Sequence, residues 1–199
     1  MQVFICAAGK STRLSKITDG VPKPLLKINK CSILEYLLKM VAKNQNVEEI
    51  NIIVGYKKEM FKSAFADSYQ NIPIKYHFNP EFETTGNLFS LYCAKDKMKD
   101  DVVFMTSDLI IEPKLVESFL NEEQGNKVLT DSRKDTFSID SVKVKTENSI
   151  ITDMSKDLSP EMADGVAIGL YRMNEIGKNN FFNVAKKILS TEGMSVGFI

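Results

Sequence analysis

The chain has 199 residues, carries 26 basic and 26 acidic side chains, and is 43% hydrophobic. This length and composition predict one globular domain whose core needs no disulfide, and 10 glycines with 6 prolines are too few for a low-complexity chain. The balanced charge provides no broad basic surface for a nucleic acid, and no apolar run approaches the roughly 20 residues that span a membrane, so we expect a small-molecule partner.

The first half of the chain alternates apolar runs of strand length with segments of helical period, which predicts an α/β fold. Gln2–Ala7 is a continuous apolar run, typical of a strand that is buried on both faces. Ser32 followed by Glu35 forms a capping box that predicts the start of a helix. Further strands are predicted at Glu49–Val54, Ile74–Phe78 and Val102–Thr106, with helices between them and another helix beginning near Pro113.

The pattern changes in the second half of the chain. Two short apolar segments flank a turn-prone sequence, which predicts an antiparallel hairpin inserted beside the sheet over residues 139–156. A return strand is predicted at Gly165–Met173 and a helix at Asn174–Leu189. Because Val196–Ile199 is typical of the beginning of a strand, we expect a single domain over residues 1–199 that lacks its carboxyl-terminal end.

The cysteines and the single histidine indicate no reactive centre. Cys6, Cys31 and Cys93 cannot pair evenly and have no metal-binding spacing, so we expect free thiols in a reducing cytoplasm. His77 lies in a strand and has no Ser or Cys partner at a recognisable spacing, which favours a structural role.

The most informative segment follows the first strand and reads AAGKSTRL. Small residues there allow backbone N–H groups to approach a phosphate closely, and the Arg13 guanidinium could chelate phosphate oxygens. A P-loop is excluded because Phe4 stands where its first glycine belongs. The alternative is a tight strand-to-helix turn with solvated basic side chains. The candidate nucleotide-binding residues of this loop are Ala7, Ala8, Gly9, Lys10 and Ser11.

Lys23 stands between two prolines in the sequence VPKPLL. The prolines fix the backbone on both sides of the lysine, which suits an ammonium group that must meet a charged ligand. A lone lysine in a proline-rich turn is more often a surface residue. Its place ten residues after Arg13 favours a functional role.

Asp108 ends the sequence VVFMTSD, at the carboxyl end of a predicted strand. Ligands of open α/β sheets bind outside the carboxyl ends of the strands, so Asp108 and the Gly9 loop are expected at one edge. A carboxylate there suits Mg²⁺ bridging phosphate oxygens. The alternative is an aspartate that caps the next helix.

Together, the AAGxGxRL-like loop, the PKPLL sequence and the capped helix resemble the nucleotidyltransferase family, which couples nucleoside triphosphates to sugar phosphates and phospho-alcohols. The resemblance implies a three-layer, mostly parallel, Rossmann-like or GT-A-like sheet. It also implies that Arg13 and Lys23 neutralise the triphosphate and the transition state, that Asp108 holds Mg²⁺, and that Gly86 and Asn87 face the base and sugar. The sequence departs from the family pattern at Ser11 and Ser107.

The GN-x-x-SL pattern and the later segments ITDMSKDL and GVAIGLYRM are more similar to phosphocholine and phosphonate cytidylyltransferases. This similarity implies transfer of CMP from CTP to a small phosphate or phosphonate acceptor, with release of pyrophosphate. Asp131, Lys156 and Tyr171 are candidates for binding the acceptor, although Lys156 is also typical of a solvated hairpin lysine.

Two alternatives remain open. One is a sugar-1-phosphate nucleotidyltransferase that uses UTP or dTTP. The other is a non-catalytic nucleotide-binding module, which is favoured because no residue after Val196 matches the second metal carboxylate of the family. For Asn87 a helix cap, and for Ser90 a helix-surface hydroxyl, are the structural alternatives.

Overall fold

The computed structural model describes residues 1–11, 18–99, 101–123 and 125–191. Within these ranges nine strands form one sheet and two short strands form another. The strands are β1 (Gln2–Ala7), β2 (Lys27–Ile28), β3 (Cys31–Ser32), β4 (Glu49–Val54), β5 (Ser68–Tyr69), β6 (Ile72–Phe78), β7 (Val102–Thr106), β8 (Lys127–Asp131), β9 (Lys143–Glu147), β10 (Ile150–Ser155) and β11 (Gly165–Met173). The helices are α1 (Ile33–Val41), α2 (Lys58–Phe65), α3 (Asn87–Ala94), α4 (Pro113–Asn121) and α5 (Glu175–Thr191).

The main sheet has the order β10-β9-β11-β7-β1-β4-β6-β5, and β8 pairs with the opposite edge of β11. The four central strands β7, β1, β4 and β6 are parallel, which confirms the predicted α/β fold with a mostly parallel core. In the sheet, β4 is the neighbour of β1 on one side, and β7, which comes later in the chain, is its neighbour on the other side. The loops therefore diverge between β1 and β7, which is the place where ligands bind in sheets of this kind.

Alternation along β1 explains the three layers. Val3 and Ile5 belong to the core on the face covered by α1 and α4, whereas Phe4 and Cys6 belong to the core on the face covered by α3 and α5. Successive side chains of a strand point to opposite faces, so a strand covered on both faces must be apolar at every position. All six residues of β1 are buried, as this requires.

The predicted capping box at α1 is half formed. The Ser32 Oγ accepts a hydrogen bond from the Glu35 backbone N–H at 3.1 Å, as expected of an N-cap. The Glu35 carboxylate, however, pairs with Lys39 one turn later, at 2.9 Å. The reciprocal half of the motif is therefore replaced by an ion pair along the helix.

The hairpin predicted within 139–156 consists of β9 and β10, which pair antiparallel. It joins the rest of the sheet through β11, where Gly165 pairs with Val144 and Val166 with Lys143. Since β11 pairs with β7 only from Leu170 onward, the hairpin lies beyond the carboxyl end of β7. The predicted strand start at 196–199 lies outside the described residues.

His77 contacts neighbouring side chains of the sheet, which agrees with the predicted structural role. Its Nε2 lies 2.7 Å from the Asn51 Oδ1, and its ring stacks on Phe4 at 6.0 Å between centroids. Burial lowers the pKa of His77, so the neutral ring is favoured in the fold.

No helix within the described ranges is both long and apolar enough to cross a bilayer.

Candidate functional site

Two of the predicted site residues form an ion pair at the carboxyl edge of the sheet. The Lys23 Nζ donates to the Asp108 Oδ2 at 2.6 Å, across 85 residues of sequence. Lys23 lies between Pro22 and Pro24 and begins a short 3₁₀ turn, and Asp108 follows β7 by two residues. The alternative that Asp108 caps the next helix is wrong, because Glu112 is the N-cap of α4. The prolines restrict the backbone at Lys23, and the end of β7 places Asp108 at the edge of the sheet. Together these constraints bring the two charges into contact.

The ion pair keeps Asp108 ionised. Partial burial raises the pKa of Asp108, but the hydrogen bond and charge of Lys23, assisted by Thr106, outweigh it and hold the pKa below its ordinary value. The side chains of Lys23 and Asp108 are 31% and 46% exposed. A carboxylate that is charged and accessible can exchange its partner for another cation.

The loop after β1 lies at the same edge. Ala8 accepts a hydrogen bond from the Tyr56 backbone N–H at 3.0 Å, which ties the loop to the end of β4. Among the residues that the structure describes, no atom lies within 4 Å of a Cβ built on Gly9. The Lys10 Nζ lies 3.2 Å from the Glu83 Oε1, and Ser11 has a positive φ of 54°. Arg13 lies outside the described residues.

Gly55 explains how closely the loops after β1, β4 and β6 pack. A Cβ on Gly55 would lie 2.4 Å from the Phe82 Cβ and 2.6 Å from the Ala8 carbonyl oxygen. Only glycine lets the segment after β6 and the loop after β1 both contact the end of β4. This packing brings Glu83 to Lys10.

Gly86 and Asn87 lie at the start of α3. Gly86 is the N-cap of this helix, so the alternative of Asn87 as the cap is wrong. Asn87 lines a small cavity together with Cys6, Thr106 and Tyr171. Thr106 ends β7, two residues before Asp108, so this cavity adjoins the ion pair along the sheet edge.

The three acceptor candidates lie on the β8–β11 side. Tyr171, opposite Phe104 in the sheet, shares the small cavity with Asn87, and burial raises the pKa of its phenol to about 12. Asp131, at the end of β8, is bonded to Arg133 at 2.7 Å, and this partner lowers the Asp131 pKa to about 2. Lys156 directly follows β10 and is exposed. The structure therefore groups Tyr171 with the nucleotide candidates and leaves Asp131 paired with a neighbour.

Burial of Cys6 raises the pKa of its thiol to about 12. The thiol is therefore protonated at neutral pH even though Cys6 lines the small cavity. Cys6 contributes packing at the edge of the site and not a nucleophile.

A larger cavity of about 1130 Å³ lies between α5, β8 and the hairpin. Its lining is mostly apolar, as at Phe181, Ile188 and Ile151, and it contains neither Lys23 nor Asp108. An apolar lining does not suit a polyanionic ligand.

One carboxylate is sufficient for a magnesium ion that is also bound by phosphates. Within the described ranges no group of three or more His, Cys, Asp or Glu side chains could enclose a metal. Mg²⁺ keeps several waters and is usually held by one or two carboxylates plus substrate phosphates, and not by a complete protein cage. The ionised, accessible Asp108 fits this kind of site.

The sequence pattern missed two polar residues beside the site, Asn79 and Thr85, and misplaced a third, Ser90. Asn79 is completely buried, and Ser90 is 2% exposed, so the expectation of a helix-surface hydroxyl at Ser90 is wrong. Asn79 bonds to both hydroxyls. An asparagine directly after a strand and before a proline was the available signal, since Asn there favours hydrogen-bonded turns.

Comparison with known proteins gives consistent matches. A sequence profile described as "Nucleotidyl transferase" matches residues 2–155. The bifunctional protein GlmU of Methanococcus maripaludis is 28% identical over 193 residues, 96% of this chain and 44% of that protein. The choline-phosphate cytidylyltransferase of Streptococcus pneumoniae is 33% identical over 103 residues, 52% of this chain and 43% of that protein.

Among solved structures, the inositol-1-phosphate CTP transferase from T. maritima superposes with a TM-score of 0.78 at 17% identity. The superposition covers 98% of this chain and 77% of that one. At this identity the likeness establishes the fold. The chain spans about 44% of the length of the GlmU protein, and the alignment with the choline-phosphate cytidylyltransferase covers 43% of that protein.

Proposed function

Because the chain belongs to the nucleotidyl transferase family, we propose that it transfers CMP from CTP to a small phosphate or phosphonate acceptor of the phosphocholine type, releasing pyrophosphate. The observation that carries the proposal is the Lys23–Asp108 pair, at 2.6 Å, beside the point where the loops of β1 and β7 diverge. A cation and a carboxylate in contact there suit a triphosphate and its counter-ion. The choice of CTP is supported by the names of two similar proteins, a cytidylyltransferase and a CTP transferase.

The proposed reaction is an in-line displacement. An oxygen of the acceptor's phosphate or phosphonate forms a bond to the α-phosphorus of CTP as the bond from that phosphorus to the β-phosphate bridging oxygen breaks. Pyrophosphate carries away the electron pair. Such displacements depend on positioning and on neutralising charge, so no nucleophilic side chain is required.

The residues at the sheet edge have distinct proposed roles. The N–H groups of the loop Ala7–Ser11 bind phosphate oxygens, and Lys23 leaves Asp108 to neutralise the triphosphate as charge moves onto pyrophosphate. By resemblance to the family, Arg13 assists Lys23. Asp108 would hold Mg²⁺, which when bound polarises phosphate oxygens. The release of Lys23 by Asp108 couples the two roles.

The base and the acceptor are proposed to bind on either side of the phosphates. Gly86 and Asn87 face the base and sugar. Tyr171 offers an aromatic face to a cationic acceptor, and Asp131 and Lys156 extend the acceptor side along β8 and the hairpin. We also propose that the reaction takes place in the cytoplasm, because the three unpaired cysteines suit a reducing compartment.

The test combines binding with turnover. The purified chain is mixed with Mg²⁺ and each of CTP, UTP, dTTP and ATP, and the melting temperature is measured, since a ligand that binds the native state raises it. Pyrophosphate release is then measured with phosphocholine, an aminoalkyl phosphonate or glucose 1-phosphate as acceptor. We expect CTP to give the largest shift and pyrophosphate to appear only with CTP and one of the first two acceptors.

Two results would contradict the proposal in different ways. Turnover with UTP or dTTP and glucose 1-phosphate would identify a sugar-1-phosphate nucleotidyltransferase. A thermal shift with CTP but no pyrophosphate release with any acceptor would identify a nucleotide-binding module without catalysis.

A further inference from the structure

Asn79 is a buried amide that connects the sheet to the segment carrying Gly86 and Asn87. It is 0% exposed, and its backbone N–H donates to the Val54 carbonyl at the end of β4, at 2.9 Å. The side-chain Nδ2 donates to the Thr85 Oγ1 at 2.9 Å and to the Ser90 Oγ at 3.0 Å. Both donor hydrogens of the amide are therefore used inside the protein.

The partners of Asn79 extend this connection. The Asn79 Oδ1 accepts from the Glu81 backbone N–H at 2.9 Å. The Thr85 hydroxyl donates to the Glu81 carbonyl at 2.7 Å, and the Ser90 hydroxyl donates to the Gly86 carbonyl at 3.2 Å. One side chain thus holds the segment before Gly86 and the first turn of α3 together.

The network fixes a helix start that has no cap of its own. No side chain within the described ranges caps α3 at Gly86. Thr85 and Ser90 lie on either side of Gly86 and Asn87 in the sequence, so their bonds to Asn79 determine where those two residues stand. Asn87 lines the small cavity with Thr106, and hydrogen-bond recognition of a base depends steeply on distance and angle.

We propose that Asn79 is a positioning residue for nucleotide selection, which acts through Thr85 and Ser90 to hold Gly86 and Asn87 against the base. This inference rests on the proposed function. Asn79 itself is too deep to touch the nucleotide. Its effect is therefore on which nucleoside triphosphate is preferred, and not on the rate with bound CTP.

The experiment changes Thr85, whose hydroxyl accepts a hydrogen bond from Asn79. Asn79 itself is left in place because removing a buried amide is a severe change that can prevent folding. Thr85→Val removes the hydroxyl at nearly constant shape, and Thr85→Ser retains it. Thr84→Val is the matched control, because the neighbouring Thr84 hydroxyl bonds only weakly to the Glu81 carbonyl, at 3.4 Å. Steady-state kinetics with CTP and with the next-best nucleoside triphosphate are measured for each variant, together with the melting temperature.

We expect Thr85→Val to raise the KM for CTP by about tenfold and to reduce the preference for CTP by a similar factor, with kcat within about twofold of the wild type. Thr85→Ser and Thr84→Val should retain the wild-type preference. In an Asn87→Ala background, Thr85→Val should have no additional effect on preference, because coupled residues do not act additively.

An unchanged preference in Thr85→Val would overturn the inference while leaving the proposed function intact. So would a lowered melting temperature and kcat with the same preference, since that result assigns Asn79 to stability alone. If the wild-type chain transfers no nucleotide from any triphosphate, the proposed function is wrong. The proposed role of Asn79 in selecting a nucleotide is then wrong as well.

Discussion

At the scale of single residues, Lys23 and Asp108 neutralise each other in a close ion pair. The two side chains are partly exposed, and such pairs contribute only about 0–1 kcal/mol to stability because water screens them. Their close contact therefore adds little to the stability of the fold. Both charges are available to a ligand once the pair separates.

Lys23→Ala should reduce kcat/KM for nucleotidyl transfer by about 10²- to 10³-fold, because a charge that stabilises the leaving pyrophosphate is lost. The melting temperature should change by no more than about 2 °C. Lys27→Ala, which removes an exposed lysine four residues away on β2, is the control and should alter neither quantity. Wild-type turnover by Lys23→Ala would show that Lys23 has no part in the reaction.

Asp131 should titrate with a pKa of about 2 in the folded protein, because the Arg133 guanidinium and backbone N–H both bond to its carboxylate. The pKa of Asp131 is lower in the folded protein than in the unfolded chain, where it is about 3.9. The pair therefore stabilises the folded protein at pH values above about 3.9, and this contribution is lost as the pH falls toward 2.

Carboxyl-carbon NMR titration measures the Asp131 pKa directly. In Arg133→Met it should rise by more than one unit toward the ordinary value. The same midpoint in both proteins would mean that Arg133 does not hold the carboxylate in solution.

At the scale of elements, the strands in the middle of the sheet could be predicted with their bounds, whereas β8, on the outer side of β11, could not. β1 and β4 have the predicted bounds because burial on both faces demands an uninterrupted apolar run. β8 (Lys127–Asp131) was missed, since its partly exposed residues mix charged and apolar types. Half-buried strands at a margin give a weak sequence signal.

The site was predictable only in part, for a similar reason. The rule that ligands bind at the carboxyl ends of strands placed Asp108 and the Gly9 loop at one edge. Folding brings together side chains from different segments in two contacts. These are the ion pair of Lys23 with Asp108 and the hydrogen bond from Asn79 to Ser90. No local pattern encodes such contacts.

Gly55→Ala should destabilise the fold by about 1–3 kcal/mol, because the added Cβ would overlap Phe82 and the Ala8 carbonyl. Denaturant unfolding measures this change. Gly125→Ala is the matched control and should lie within about 0.5 kcal/mol of the wild type, since the nearest atom is the flexible end of Lys127 at 3.6 Å. Equal stability of the two variants would mean that the loops at the sheet edge can separate without cost.

At the scale of the whole molecule, stability should decrease from the parallel centre toward the hairpin. β1 lies between β4 and β7 and is wholly buried, whereas β10 is at the end of the strand order and mostly exposed. Amides in β1 should therefore exchange with solvent only on global unfolding, and those in β10 at least about tenfold faster. Hydrogen-exchange mass spectrometry resolves the two segments, and equal protection would mean that the hairpin unfolds together with the core.

The narrow attachment of the hairpin has an evolutionary consequence. β9 meets β11 at two residue pairs, so the segment can lengthen, shorten or change sequence without altering the register of the parallel strands. Under the proposed function, relatives with the same parallel strands could use different acceptors while binding the triphosphate at the same edge of the sheet. We therefore expect that exchanging residues 139–156 between relatives changes which acceptor is used.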